Sequence, residues 1–351
     1  LIVGPQTMGN GPGFWTGFGL VLLAALVYPM FANSYDVGNT AYFLIWIFMP
    51  LGLCLIWGYG GMLSFGSTLF FGLGGYGYGV LAINLGGDDW TFLALVLSVG
   101  ISALAALVLG YFLIWGRIGG VFFGIVTLSA TLVLAFFLAQ TAGPEWRIGN
   151  ARLNGFNGMT GMDPLTLTWS GERVFFQGTI LYYFVLLLLL AVYLSLRVLV
   201  NSRFGNVIVA IREDAQRAEF LGYDVRKYQL ATFAIGSALA GLSGALYVSW
   251  GQFITPSSIS LPAAALPIVW VAFSGRRDLT ATLVGSFVLL YAFQTITIHS
   301  QQAALIVMGG LLLGTVMLVP QELVLGFGVL LTRAFRRRGA GPEPVAVARE
   351  S

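Results

Sequence analysis

Long uninterrupted apolar runs dominate the pattern of hydrophobic and polar positions along this chain. The run YYFVLLLLLAVYLSL at 182–196 has neither the alternation of a half-buried strand nor the polar stripe of a surface helix. Because about 20 apolar residues carry a helix across a bilayer core roughly 30 Å thick, such runs predict membrane-spanning helices. Ten runs are found, at 14–32, 41–57, 66–85, 91–115, 118–139, 179–200, 229–250, 262–274, 280–298 and 302–320. The expected fold class is an all-α, polytopic integral membrane bundle of about ten transmembrane helices, although the run at 262–274 is short for a full crossing.

Composition excludes the soluble alternative. Of the 351 residues, 58% are hydrophobic and only 9% are charged, which leaves too little polar surface to cover a soluble globule. A transmembrane β-barrel is also excluded, because its strands would alternate polar and apolar residues. A single transmembrane domain is therefore expected over 1–338, followed by a disordered cytoplasmic tail at 339–351.

The positive charges set the expected orientation. Short loops rich in Arg and Lys stay in the cytoplasm. If ten crossings leave both termini inside, every basic residue except Arg147, Arg152 and Arg173 lies on the cytoplasmic side. Those three fall in one long outer segment, 140–178. The expected location is a bacterial inner membrane, and the basic tail is interpreted as an anchor near anionic lipid rather than as a nucleic-acid site.

The chain carries almost none of the groups that power transport or catalysis. The ten apolar runs contain no Asp or Glu, and the chain has one His and one Cys. An ion-driven carrier usually keeps such groups within its spans. The only lysine, Lys227, follows Arg226 and so cannot end a phosphate-binding P-loop. We therefore expect no enzyme activity, no cofactor and no metal, and energy for active transport would come from a partner.

One charged stretch interrupts the apolar pattern in the second half of the chain, VIVAIREDAQRAEFLGYDVRKY at 207–228. Its apolar residues recur at helical spacing, at Val207, Ile211, Ala215 and Ala218, and its polar residues Arg212, Gln216 and Glu219 lie on another face. Glu213 and Arg217 are four residues apart, in the order that favours an ion pair. Gly222 is placed to end the helix.

This pattern predicts a short amphipathic helix over about 206–221, within a cytoplasmic loop at 201–226. An interfacial helix on lipid headgroups and a docking helix for another subunit both fit the periodicity.

Several segments resemble the permease subunits of ABC importers for branched-chain amino acids, urea and related solutes. They are SRFGNVIVAIREDAQRAEFLGYDVRKYQLATFAIGSALAGLSGALY at 202–247, GYGGMLSFGSTLFFGLGGYGYGV at 58–80, RIGGVFFGIVTLSATLVLAFF at 117–137 and NGFNGMTG at 154–161. The resemblance covers about 41–320. QFITPSSISL at 252–261, followed by VWVAFSGRRDL, is more similar to the members that carry urea and short amides. The chain departs from the family pattern at Ser67 and at 274–278.

The resemblance implies a role and a set of partners. It implies a permease subunit of an ATP-driven importer that moves urea, a short amide or a branched-chain amino acid from a periplasmic binding protein to the cytoplasm. The 201–226 loop would be the coupling element that contacts the ATPase, through Arg212, Glu213, Arg217, Glu219 and Gly222. The expected partners are two ATP-binding cassette subunits, a second related permease subunit, the binding protein and the lipid bilayer, with no nucleic acid. The alternative is a passive channel or facilitator for a small polar solute.

Glycines crowd residues 58–79, and two interpretations of them remain open. Glycine lets membrane helices approach closely, and it also lets the chain unwind beside a solute path. The polar groups that would line such a path are Ser64, Ser67, Thr68, Tyr76 and Thr127. In the outer segment, Asn157 and Thr160 are candidates for contact with the binding protein, and LTLTWSGERVFF at 165–176 predicts a small β-hairpin.

Overall fold

Helices account for most of the fold. The computed structural model describes residues 1–86, 90–169 and 172–318, so the predicted tail at 339–351 lies outside the described residues. The α-helices of the described chain are α1 (Pro12–Val27), α2 (Ser34–Leu53), α3 (Ser67–Leu85), α4 (Thr91–Trp115), α5 (Gly120–Ala139), α6 (Gly178–Val200), α7 (Arg203–Glu213), α8 (Ala215–Phe220), α9 (Val225–Gly251), α10 (Leu261–Ser274), α11 (Leu279–His299) and α12 (Gln301–Leu318).

Eight helices of the described chain, α1 to α6, α9 and α11, are long and apolar enough to cross a membrane. The apolar helix α10 is shorter, with 14 residues, and the apolar stretch of α12 covers only Gln301–Leu311. These ten helices match the ten predicted runs one to one. The all-α membrane bundle is therefore confirmed, although two of its predicted crossings fall short of full spanning length.

Helix α9 lies at the centre of the bundle and packs against α2, α3 and α4. Its glycines allow backbones to touch. A Cβ built on Gly244 would overlap the carbonyl oxygen of Phe71, and one built on Gly74 of α3 would overlap that of Gly241. Without a hydrophobic force between helices in lipid, such contacts supply the attraction through van der Waals packing. Close packing, the first interpretation of the glycine-rich segment, is thus present in α3.

The chain unwinds between α2 and α3. Pro50, inside α2, has no N–H to donate, and the helix relaxes after it into a π-helix at Cys54–Tyr59. Residues 60–66 are then non-helical until α3 begins at Ser67. Gly61 permits the turn, because its φ of 71° is strained for any residue with a Cβ. Unwinding, the second interpretation, is present beside the first.

Short strands form three two-stranded antiparallel sheets in the described chain. They are β1 (Arg147–Ile148), β2 (Ala151–Arg152), β3 (Met159–Thr160), β4 (Thr166–Trp169), β5 (Glu172–Phe175) and β6 (Phe253–Ile254). Pairing of β4 with β5 confirms the predicted hairpin. Pairing of β3 with β6 was not predicted. It joins the 140–178 segment to the residues that follow α9.

The predicted single helix at 206–221 is wrong. The chain breaks at Asp214, whose φ of −156° and ψ of 97° are extended, and this gives α7 and α8. The Asp214 side chain accepts a hydrogen bond from the Arg217 N–H at 3.0 Å and so caps α8. Gly222 does end this segment as predicted: its φ is 87°, and the N–H of Tyr223 reaches back to the Ala218 carbonyl.

Candidate functional site at the broken helix

Hydroxyl side chains hold the backbone of the non-helical segment at 60–66, one from α5 and one from the segment itself. The Thr127 Oγ1 atom accepts a hydrogen bond from the Phe65 N–H at 3.1 Å. The Ser64 Oγ atom accepts one from the Gly66 N–H, also at 3.1 Å. Backbone outside a helix at membrane depth requires such partners, because hydrocarbon offers none. Thr127 lies about two turns inside α5, so the break reaches into the bundle rather than skirting its end.

All five residues predicted to line a path are buried. Ser64, Ser67 and Thr68 belong to the break or the first turn of α3, and Thr127 contacts the break. Tyr76 lies more than two turns farther along α3, away from the other four. The structure therefore brings four of the five candidates together.

Two of these hydroxyls lack a partner. The Thr68 Oγ1 atom and the Tyr76 hydroxyl form no hydrogen bond within the described chain. A buried polar group left unpaired costs about 1–3 kcal/mol. A polar solute or a water molecule beside either hydroxyl would remove that cost. These two positions are accordingly the places in α3 where a passing solute would find a free hydrogen-bonding group.

An aromatic cluster between α2, α3, α9 and α10 was missed by the sequence reasoning. Trp46 stacks on Phe71 with ring centroids 4.7 Å apart, and it meets Trp270 edge-on at 5.9 Å. Tyr247 completes the group. Both indole N–H groups are buried with no acceptor in the described chain. Single aromatic residues in apolar runs carry no periodic signal, so nothing in the pattern marks them out.

Arg212 connects the α7–α8 segment, residues 203–220, to the broken helix. Its Nη1 atom donates a hydrogen bond to the Gly58 carbonyl oxygen at 2.6 Å, and its side chain lies against Gly61. Its Nη2 and Nε atoms donate to Glu213 Oε1 at 2.6 and 3.1 Å. This pairing holds the pKa of Glu213 below its usual value, chiefly through the hydrogen bond from Arg212. Arg212 thus joins α7 directly to the break.

One expectation about this segment is wrong, and another stays a prediction. Contact of Arg212 with the ATPase stays a prediction; its side chain is only 19% exposed and is bound to the broken helix. Glu213 and Arg217 do not form the expected pair. Arg217 instead pairs with Asp214 at 2.8 Å. The break at Asp214 redirects both side chains, so helical spacing no longer applies across it.

The tip of the α7–α8 segment exposes two large apolar side chains that the sequence reasoning passed over. Phe220 is 90% exposed and Leu221 is 77% exposed. The candidates Arg217 and Glu219 lie beside them on the surface. An apolar tip rimmed by charges is typical of a site that contacts another protein. The sequence did contain a signal for this site, which is the pair of adjacent large apolar residues at the end of a charged helix.

The candidate site lies within a region that matches a known protein family. Residues 37–317 match the family described as "Branched-chain amino acid transport system / permease component". The chain belongs to this family. The matched range contains the broken helix, the contact of Arg212 with Gly58 and the whole of the α7–α8 segment, so each element of the candidate site is part of the family's shared region.

Individual relatives of this permease are distant. The chain is 26% identical over 322 residues to the high-affinity branched-chain amino acid transport system permease protein LivM of Escherichia coli, covering 87% of this chain and 73% of that protein. It is 27% identical over 268 residues to a probable LivM of Methanocaldococcus jannaschii, covering 70% and 76%. A probable LivH of the same organism is 29% identical over 126 residues, covering 34% and 37%. No solved structure matches the chain significantly.

The far end of the permease presents a second surface. Asn157 ends a short 3₁₀ turn at Gly155–Asn157, and Thr160 lies in β3; both side chains are exposed. Thr160 pairs with Phe253 of β6. The segments NGFNGMTG and QFITPSSISL, far apart in the chain, are therefore neighbours. Among the described residues, no group of three or more His, Cys, Asp or Glu side chains is placed to hold a metal ion.

Proposed function

We propose that this chain is the transmembrane permease subunit of an ATP-driven importer that moves a small polar solute of the branched-chain amino acid class into the cytoplasm. The names of the LivM relatives support the solute class. One observation carries the mechanism: Arg212 of the α7–α8 segment is bound to Gly58 at the break in the transmembrane path.

The geometry supports a mechanical role for that contact. An ATPase subunit bound at Phe220 and Leu221 would displace α8 and α7 as it closes on ATP. Arg212 would carry the displacement to the π-helix and to residues 60–66. The hydrogen bonds of Thr127 and Ser64 to this segment are few, so they can rearrange at a modest cost of about 1 kcal/mol each. The break then opens or closes the path past the buried hydroxyls.

The proposal includes four kinds of partner. Two ATP-binding cassette subunits would bind the α7–α8 tips of this chain and of a second, related permease. The partial likeness to a LivH protein supports a permease family with more than one type of member. A periplasmic binding protein would deliver solute to the surface that contains Asn157 and Thr160. The lipid bilayer surrounds the exposed apolar faces.

Urea or a short amide is the second candidate solute. It rests on the segment QFITPSSISL, which forms β6 and the turn after it. Uptake of labelled leucine and labelled urea into liposomes that hold the complete transporter separates the two. Leucine uptake that depends on ATP supports the first candidate, and urea uptake alone supports the second.

The first prediction concerns the α7–α8 tip. Replacing Phe220 and Leu221 together with serine is expected to remove most of the ATPase subunit that co-purifies with this chain from membranes. Buried aromatic anchors at interfaces contribute about 2 kcal/mol or more, a factor of about 30 in affinity. The control is Phe122→Ser, which changes a phenylalanine at the start of α5 that is 71% exposed. Absence of any co-purifying ATPase from the parent chain would instead favour the passive channel.

A second prediction concerns orientation in the bacterial inner membrane. With the basic residues inside, reporters fused after Asn206 or at the C-terminus are expected to report cytoplasm. A reporter fused next to Trp146 is expected to report the outside. A cytoplasmic signal from the 140–178 segment would contradict the arrangement in which all ten helices cross.

A further inference from the structure

A cavity of about 400 Å³ opens beside the α7–α8 segment, directly below the broken helix. Its walls come from the break (Gly60, Gly61), the turn between α4 and α5, the α7–α8 segment and the first turn of α9. This volume is within the range of about 300–1,000 Å³ that is usual for small-molecule sites. A solute that passes the break toward the cytoplasm would enter this cavity first.

Two arginines line this cavity, Arg117 and Arg226, and neither forms an ion pair within the described part of the chain. The pKa of Asp224 is lowered chiefly by the hydrogen bonds from Lys227 and in part by the charge of Arg226. Arg212 also lines the cavity, but its Nε, Nη1 and Nη2 atoms already donate hydrogen bonds to Gly58 and Glu213. Guanidinium groups suit carboxylate because their planar donors can bind both oxygens. The unpaired arginines therefore provide a site for an anionic group.

The backbone at Arg117 supports a role for its side chain. Its φ of 54° is left-handed, a conformation that costs a residue with a Cβ roughly 1–2 kcal/mol. Gly116 and Gly119, which accept this conformation without that cost, flank the same turn. A glycine at position 117 would avoid this strain. That an arginine is present there instead indicates a function for its side chain.

The remaining walls match the other parts of an amino acid. Glu219 lines the cavity and has no ion pair within the described chain, so its carboxylate is free to bind an ammonium group. Ile114, Ile118 and Phe123 supply an apolar wall. Two free guanidinium groups, one free carboxylate and an aliphatic surface complement a zwitterion with an aliphatic side chain. Neutral urea would leave all these charges unused.

We infer that this cavity is a cytoplasmic release site, at which the amino-acid solute of the proposed function binds after it has passed the break. Arg117 and Arg226 bind its carboxylate, Glu219 binds its ammonium group, and the wall of α4 and α5 receives its side chain. The inference rests on the proposed function and adds to it a binding site on the cytoplasmic side of the break.

Direct binding tests the site without transport. The purified full chain in nanodiscs of phosphatidylcholine is titrated with leucine, with leucinamide, which has no carboxylate, with 4-methylpentanoate, which has no ammonium group, and with urea. Leucine is expected to bind about tenfold or more tightly than each of the other three, because loss of a charge-assisted contact costs about that factor. Equal affinity for leucine and leucinamide would contradict the inference.

Variants locate the binding. Arg117→Gln and Arg226→Gln are each expected to weaken leucine binding about tenfold or more, and Arg117→Lys is expected to keep part of it. Lys227→Gln is the matched control, because Lys227 carries the same charge on the same surface but is paired with Asp224 and does not line the cavity. Melting temperatures of all variants establish that they fold. Unchanged leucine binding in both arginine variants would overturn the assignment.

Two further arms separate competing explanations. Nanodiscs with phosphatidylglycerol test whether a lipid phosphate occupies the arginines; a lower leucine affinity there would overturn the solute assignment. Leucine uptake by the complete transporter in liposomes is measured beside the binding. Uptake without binding in the cavity would overturn the release site and leave the proposed function intact, whereas ATP-dependent uptake of urea in place of leucine would refute both.

Discussion

Replacing Gly74 with leucine is expected to abolish assembly of the bundle. The added side chain has no space, because even a Cβ at this position would overlap the backbone of Gly241 in α9. Overpacking in a core typically costs about 1–3 kcal/mol, and a clash with backbone cannot be relieved by a change of rotamer. The measurements are the amount of monodisperse chain after detergent extraction, its melting temperature and solute uptake.

A matched control separates this effect from the general cost of leucine for glycine. Gly100, in α4, has nothing within 4 Å of a built Cβ and faces away from the protein. Gly100→Leu is therefore expected to keep parental yield and uptake. If Gly74→Leu behaves like Gly100→Leu, α3 and α9 do not pack as the structure has them.

The second large effect is expected from Arg212→Gln. This change removes the charged hydrogen bond from Arg212 to the Gly58 carbonyl, a contact of the kind that contributes about 1.5–3 kcal/mol. Because the apolar tip at Phe220 and Leu221 is untouched, the ATPase subunit is expected to stay bound. Uptake is expected to fall by about tenfold or more while ATP hydrolysis continues, since the link between the tip and the break is lost.

The control for this prediction is Arg203→Gln. Arg203 is the first residue of α7 and is exposed, so it carries the same charge without contacting the break. Uptake and ATP hydrolysis in this variant are expected to match the parent. A parental ratio of uptake to hydrolysis in Arg212→Gln would show that the contact with Gly58 does not transmit movement.

These two predictions differ in how far the sequence alone led to them. The glycines at 58–79 pointed to close packing or unwinding, and both occur, but at different glycines: packing at Gly74 and the turn at Gly61. The sequence pattern does not indicate which glycine allows close packing and which allows the turn. Contact with α9 decides the first, and backbone torsion decides the second.

The α7–α8 segment shows where periodicity misleads. Helical spacing runs without interruption through 206–221, yet the chain breaks at Asp214. A local signal was present, because aspartate is a favoured N-cap residue. The contact of Arg212 with Gly58 had no such signal. It joins residues 154 positions apart, and nothing in either segment specifies the other.

What the sequence by itself determined about this protein is the set of membrane helices and the end of the α7–α8 segment at Gly222. Both are local: a helix in lipid satisfies its backbone hydrogen bonds within its own segment, so apolar length predicts it, and a glycine just past the last turn ends a helix by adopting a left-handed conformation. Tertiary structure decided the broken path, the pairing of β3 with β6 and the cavity lined by Arg117 and Arg226. In the first two, polar groups that cannot be satisfied by their own segment take partners from distant ones, and those partners are fixed only when the helices pack. The walls of the cavity come from four separate segments, which meet only in the packed bundle.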